Sequence, residues 1–169
     1  MKTPRWRLLA TIAWCSVALL GSALASEAPF LRGEFIQPPE NLHNHGSCLV
    51  EAPNGDLIVC WFNGTGERTA DDCRILGARL VRGSTTWSPR FVMADTPGFP
   101  DTNCCLFIDP QQRLWLIWPT ILDNHWESAL LKVKIAEDYQ RPGAPLWKTQ
   151  DVIHVKPGPE FAATIQRAV

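Results

Sequence analysis

The sequence has no run of basic residues and, past its first 25 residues, no apolar stretch near the ~20 residues a bilayer core demands. The first absence argues against nucleic acid or anionic membrane as a partner, because both reward clustered lysine and arginine. Low charge and high apolar content argue against disorder: 20% of the residues are charged and 46% hydrophobic, a balance that buries a core. Tyrosine occurs once and methionine twice, whereas tryptophan occurs eight times in 169 residues. Trp6 and Trp14 lie in the N-terminal segment. The other six are expected mostly in the core, with Trp126 the best candidate for exposure.

Residues 1–25 read as a signal peptide. Lys2, Arg5 and Arg7 precede the apolar stretch Leu8–Leu20, and Ala23-Leu24-Ala25 supplies the small-x-small pattern that signal peptidase cuts. Cleavage is expected after Ala25, which makes the protein secreted or periplasmic and leaves no membrane association; the competing anchor reading suffers from the shortness of the apolar run. Three of the 16 basic residues and none of the 17 acidic ones lie in this segment, so the remainder carries 13 against 17, a net charge of about −4. A small neutral or polar ligand suits such a surface. Removing Cys15 leaves Cys48, Cys60, Cys73, Cys104 and Cys105, an odd number, so at least one thiol is free or pairs outside the chain. Cys104 and Cys105 point to opposite faces if they lie on a strand and are poor partners for each other. The cysteines read as small core residues, with disulfides left open.

An internal repeat sets the expected fold. A shift of 57 positions superimposes Cys48-Leu49 on Cys105-Leu106, Pro53 on Pro110, Leu57 on Leu114 and Trp61 on Trp118. Each copy gives strand, tight turn, strand: Ser47–Ala52, Asn54-Gly55 and Leu57–Phe62, then Cys104–Asp109, Gln111-Gln112 and Leu114–Trp118. Third strands are expected at Arg74–Val81 and Ser128–Ile135, offset by 54, and fourth strands at Arg90–Ala94 and Asp151–Val155. The chain therefore reads as all-β, about two four-stranded propeller blades: a lead-in over 26–42, blade 1 over 43–95, blade 2 over 96–156, and a connector or short helix over 157–169. An eight-stranded β-sandwich is the competing architecture. Two blades do not close a ring, so the chain is expected to be part of a longer propeller or, if complete, to self-associate.

Particular residues carry a family resemblance. Arg82-Gly83-Ser84-Thr85-Thr86-Trp87 and Ala136-Glu137-Asp138-Tyr139 with Gly143-Ala144-Pro145-Leu146-Trp147 resemble degenerate copies of the Asp-box, Ser-x-Asp-x-Gly-x-Thr-Trp. Together with His43-Asn44-His45-Gly46-Ser47, Trp61-Phe62 and Gly66-Glu67-Arg68, the run Asn41–Val155 resembles the N-terminal part of the bacterial sialidase, or neuraminidase-repeat, superfamily. The resemblance implies a six-bladed propeller and an exo-glycosidase. It also implies that Asn44 stands where active members carry an arginine clamping the substrate carboxylate, a charge that a neutral amide does not replace. The acid/base aspartate of the family falls at Asp71 or Asp72, and the arginines, tyrosine nucleophile and glutamate of later blades have no counterpart here.

Topology without the resemblance converges on the same end of the sheets. The start of strand 1 and the end of strand 2 lie together, which gathers His43, His45 and Ser47, with Asn44 between the two histidines, beside Glu67, Arg68, Asp71 and Asp72. In the second copy Asp101, Asn103, Asp123, Asn124, His125 and Trp126 take the same place. Carboxylates, amides and an aromatic on one rim suit a sugar, with the ring stacked on Trp126. A glycosidic acid must keep its proton near neutrality, which burial or a like charge favours, and Asp71-Asp72 with Glu67 supply like charges. Loop carboxylates also commonly cap turns. No cofactor and no metal is expected, although His43, His45 and Asp71 or Asp72 form a minimal candidate ligand set. The function expected is that of a secreted sialidase-like carbohydrate-active protein of the exo-glycosidase type, of which this chain is a truncated portion expected to be inactive by itself. Its rivals are a non-catalytic glycan-binding propeller and a polysaccharide lyase with His45 or His125 as base.

Overall fold

A computed structural model describes residues 30–168. The expected leader, Met1–Ala25 with cleavage after Ala25, lies outside the described residues. The chain divides into two units, Met1–Glu34 and Phe35–Val169. Described residues 30–34 of the first have no regular secondary structure and carry an exposed Arg32–Glu34 ion pair at 2.9 Å.

The second unit holds two four-stranded antiparallel sheets. Sheet 1 runs β1 (His43–Glu51), β2 (Leu57–Gly64), β3 (Arg74–Leu80), β4 (Phe91–Ala94); sheet 2 runs β5 (Cys105–Ile108), β6 (Leu114–Ile121), β7 (Ala129–Asp138), β8 (Leu146–Val152), each in sequential order. A one-turn 3-10 helix spans Trp126–Ser128, and α1 spans Pro159–Ala168 with none of its residues buried. The first hairpin turns where Gly55 takes a φ of 84°, a conformation that side chains resist. Gln112, at φ 59°, takes the left-handed position in the second turn.

Pairing register makes the repeat concrete. Cys48 faces Cys60 as Cys105 faces Ile117, and Leu49 faces Val59 as Leu106 faces Leu116, so the 57-residue offset holds through the first hairpin of both sheets. At the third strand Leu57 pairs with Leu80 and Leu114 with Ala136, an offset of 56 rather than the expected 54. Hydrogen bonding to β2 and β6 sets this register, and side-chain matching alone had misaligned it. The eighth strand also differs: it occupies Leu146–Val152 rather than Asp151–Val155, with Trp147 opposite Ala136. Two irregularities in the β7–β8 pairing let it run back past Ala136 to Asp138. Lys148, Thr149, Gln150 and Asp151 are all exposed on this edge strand, and their polarity hid it.

The two sheets meet through opposite faces. From sheet 1, Ile58, Cys60, Phe62 and Ile75 enter a shared apolar core with Leu106, Leu114, Leu116 and Trp118 of sheet 2. By the repeat, Leu114, Leu116 and Trp118 correspond to Leu57, Val59 and Trp61. Those residues lie on the other face of sheet 1, where Val59 and Trp61 form a second cluster with Leu76 and Ala78, packed by Ile36 and Trp87. Conversely Trp115, Ile117 and Pro119, the counterparts of the fully buried Ile58, Cys60 and Phe62, are only half-buried on the open face of sheet 2, beside exposed Phe107 and Leu131. Like sheets thus stack in the same sense, as successive units. Each fully buried large side chain in the shared core contributes about 1.5–3 kcal/mol.

A polar lock ties the hairpin ends of the two sheets. The Arg79 guanidinium, 1% exposed, donates to Asp56 Oδ2 at 3.1 Å and to the Tyr139 carbonyl, while Asn54 Nδ2 donates to the Gln140 carbonyl at 3.1 Å. Asp56 also accepts from the Arg82 N–H at 2.9 Å. Buried Tyr139 in turn donates to the Gln112 carbonyl at 2.9 Å.

Candidate functional site

The site end of sheet 1 is built by the start of β1 and the loop 65–73 that follows β2. The loop is anchored by Asp72, whose carboxylate accepts from the Thr65 N–H at 3.0 Å and from Thr65 Oγ1 at 2.9 Å. It is anchored a second time by Gly64, where an added Cβ would stand 2.6 Å from Cys73 Sγ and 2.7 Å from Cys73 Cα. Backbone does not yield to such an approach. We expect Gly64→Ala to displace the loop and destabilise the fold by about 1–3 kcal/mol, read as a lowered urea midpoint; an unchanged midpoint would mean the loop shifts freely.

At this end the structure brings several of the sequence candidates together. His43 and His45 project on the side of β1 that faces sheet 2, their rings 5.1 Å apart, and His45 packs edge-on against Phe62 at 5.6 Å. His45 Nδ1 stands 3.9 Å from Glu67 Oε1, an ion pair when the imidazole is protonated. The Arg68 guanidinium lies 5.9 Å from the centre of the Trp126 ring, within cation–π range. That contact joins the loop after β2 to the loop after β6. Asp71 is exposed on the same loop, and among the described residues no side chain or backbone group bonds its carboxylate.

The second loop, 122–128, is closed by Ser128, whose Oγ accepts from the Asp123 N–H at 2.9 Å and donates to the His125 carbonyl at 2.7 Å. Asn124 takes φ 54°, the left-handed corner that asparagine tolerates, so part of its role is to shape the turn. Asp123, Asn124, His125 and Trp126 are all exposed.

Two candidates stand apart. Asn44 alternates to the outer face of β1, where its Oδ1 accepts from Trp61 Nε1 at 2.9 Å and Asn63 Nδ2 at 3.1 Å. Nearby Glu40 accepts from Arg90 at 2.7 Å and Asn63 at 2.8 Å. The Arg90 hydrogen bond holds the Glu40 carboxyl below its ordinary range, against the opposing effect of burial. Asp101 is fully buried, and its Oδ1 accepts from Trp118 Nε1 at 2.8 Å, Thr96 Oγ1 at 2.9 Å and Thr120 Oγ1. Its carboxylate therefore organises the core beneath the rim.

Sequence reasoning missed Lys132 and Lys134, whose ammonium groups lie 5.4 and 5.7 Å from the centre of the Trp118 ring. Lys132 donates to Thr96 Oγ1 at 2.7 Å and Lys134 to the Met93 carbonyl at 2.9 Å. Burial pulls the Lys134 ammonium below its ordinary pKa, and the charge of Asp101 works the other way. Their spacing around Val133 gave a strand signal only; which face they occupy depends on the sheet stacking. Among the described residues no group of three or more His, Cys, Asp or Glu is arranged to hold a metal ion. The chain matches no protein-family model and no curated protein.

Proposed function

We propose that the two sheets are blades of a sialidase-like β-propeller and that the chain is a secreted carbohydrate-active protein of the exo-glycosidase type. The observation that carries the proposal is the same-sense stacking of equivalent sheets, opposite face on opposite face, which puts their corresponding loops at one rim where Arg68 meets Trp126. Propeller blades stack in this way around a ring. On this reading Trp126 offers its 41%-exposed ring to the apolar face of a sugar. Arg68, His43, His45, Glu67 and His125 bind hydroxyls, and Asp71 gives its proton to the glycosidic oxygen. Asp72 is the weaker choice for that proton because Thr65 occupies its carboxylate.

A second reading, a glycan-binding protein without turnover, is favoured by Asn44. It holds the place of a carboxylate-clamping arginine and engages Trp61 and Asn63 instead. One set of variants tests both readings on sialosides and uronic-acid glycans. In a complete propeller carrying the later blades, the enzyme reading expects Asp71→Asn to lower turnover about 100-fold. Both readings expect Trp126→Ala to weaken glycan binding about tenfold. Binding without turnover by the complete propeller selects the second reading, and unchanged binding in Trp126→Ala overturns the rim as the site.

A further inference from the structure

Four of the five cysteines outside the leader gather where the two sheets touch. Cys60 lies in the middle of β2 directly opposite Cys48 on β1. Cys104 immediately precedes β5, the strand of sheet 2 that lies against both β1 and β2. The approach is close: a Cβ on Gly46 of β1 would stand 3.5 Å from the Cα of Asn103. Sulfur contacts cross the same boundary. Cys48 Sγ accepts from the Leu106 N–H at 3.2 Å, and Cys104 Sγ donates to the Gly46 carbonyl at 3.5 Å. All five thiols are free in this structure, and Cys60 and Cys104, 0% and 6% exposed, belong to the same apolar core.

We infer that Cys60 and Cys104 are a modification site, oxidised to a disulfide that ties sheet 1 to sheet 2. The other pairings serve less well. Cys48 and Cys60 share one sheet, Cys104 and Cys105 are chain neighbours that point to opposite faces, and Cys73 sits in the loop with its sulfur 2.9 Å from the Gly66 carbonyl. Cys105 is exposed, and the Cys48 sulfur already bonds both backbone groups of Leu106.

The oxidant is a small-molecule disulfide of the glutathione type. The Cys104 thiolate attacks one sulfur of that disulfide and releases one small thiolate. The Cys60 thiolate then attacks the Cys104 sulfur of the mixed disulfide and releases the second. Two protein thiols lose two protons and two electrons, and one disulfide becomes two thiols. The neighbouring Cys104 side chain and burial together push the Cys60 thiol far above its ordinary range, so the second attack is slow once the sheets have docked and the bond forms during folding.

The test is to refold the chain in a mixture of oxidised and reduced glutathione, block remaining thiols at low pH, and map peptic peptides by mass spectrometry. The expected result is a cross-linked pair holding Cys60 and Cys104, about 2 Da lighter than the two free peptides, and a Tm roughly 5–10 °C above that of the reduced protein. Cys104→Ala and Cys60→Ala each remove both the cross-link and the Tm difference. Cys73→Ser keeps both, which separates lost pairing from a general loss of folding. Recovery of Cys60 and Cys104 as blocked thiols, as glutathione adducts only, or joined to Cys48 or Cys105 overturns the inference.

Discussion

Asp101→Ala is expected to destabilise the fold by about 3–5 kcal/mol, a large share of the 5–15 kcal/mol that holds a domain together. The carboxylate is fully buried and gathers Trp118 Nε1, Thr96 Oγ1 and Thr120 Oγ1 on one oxygen. Its own N–H donates to the Cys73 carbonyl at 2.9 Å, so the residue also links the loop of sheet 1 to the lead-in of sheet 2. Alanine takes this acceptor from the buried Trp118 and Thr120 donors and from the half-buried Thr96 hydroxyl, and removes the Asp101 charge from Lys134. Asp101→Asn retains one oxygen acceptor and is expected to lose about 1–3 kcal/mol. Urea denaturation followed by tryptophan fluorescence measures both. A variant Asp101→Ala that unfolds at the wild-type midpoint yet binds glycan poorly would return this residue to the rim site.

The second large effect is at Arg79. Arg79→Ala strips buried Asp56 of its opposite charge and leaves the Tyr139 carbonyl without its donor, and a loss of about 3–5 kcal/mol is expected at neutral pH. The pH dependence has a definite sign. Burial works to raise the Asp56 pKa, but bonds from the Arg82 N–H, Asn54 and Arg79 outweigh it, so the folded value lies below the ordinary one. A carboxylate depressed in this way adds stability above its unfolded pKa of about 3.9 and loses it as the pH falls through the lower folded value. Denaturation midpoints at pH 7 and pH 3 are therefore expected to differ more for the wild type than for Arg79→Ala. Equal acid sensitivity in the two proteins would show that the pair does not hold the hairpin ends together.

Much of the fold was readable because the first two strands of each copy are nearly continuous apolar runs. Leu57–Phe62 and Leu114–Trp118 advertise strands by composition, and Asn54-Gly55 marks its turn through backbone sterics. The outer strands were less readable. The polar run from Lys148 to Asp151 is an exposed edge whose place is fixed by backbone pairing to β7, so it carries no apolar signal. The site divided in the same way. Antiparallel pairing was enough to bring His45 near Glu67, but side-chain alternation sent Asn44 to the outer face, and a core network drew Asp101 inward.

The sequence by itself determined the eight strands in outline, the repeat that relates them, and which ends of the strands carry polar loops. Those features follow from side-chain volume, backbone sterics and the two-residue period of a strand, all of them local. Only the tertiary structure decided that equivalent sheets meet by opposite faces, that Arg68 reaches Trp126, and that Asp101 and Arg79 are buried. These outcomes depend on which surface each sheet presents to its neighbour, a choice made by packing between residues more than 50 positions apart in the chain.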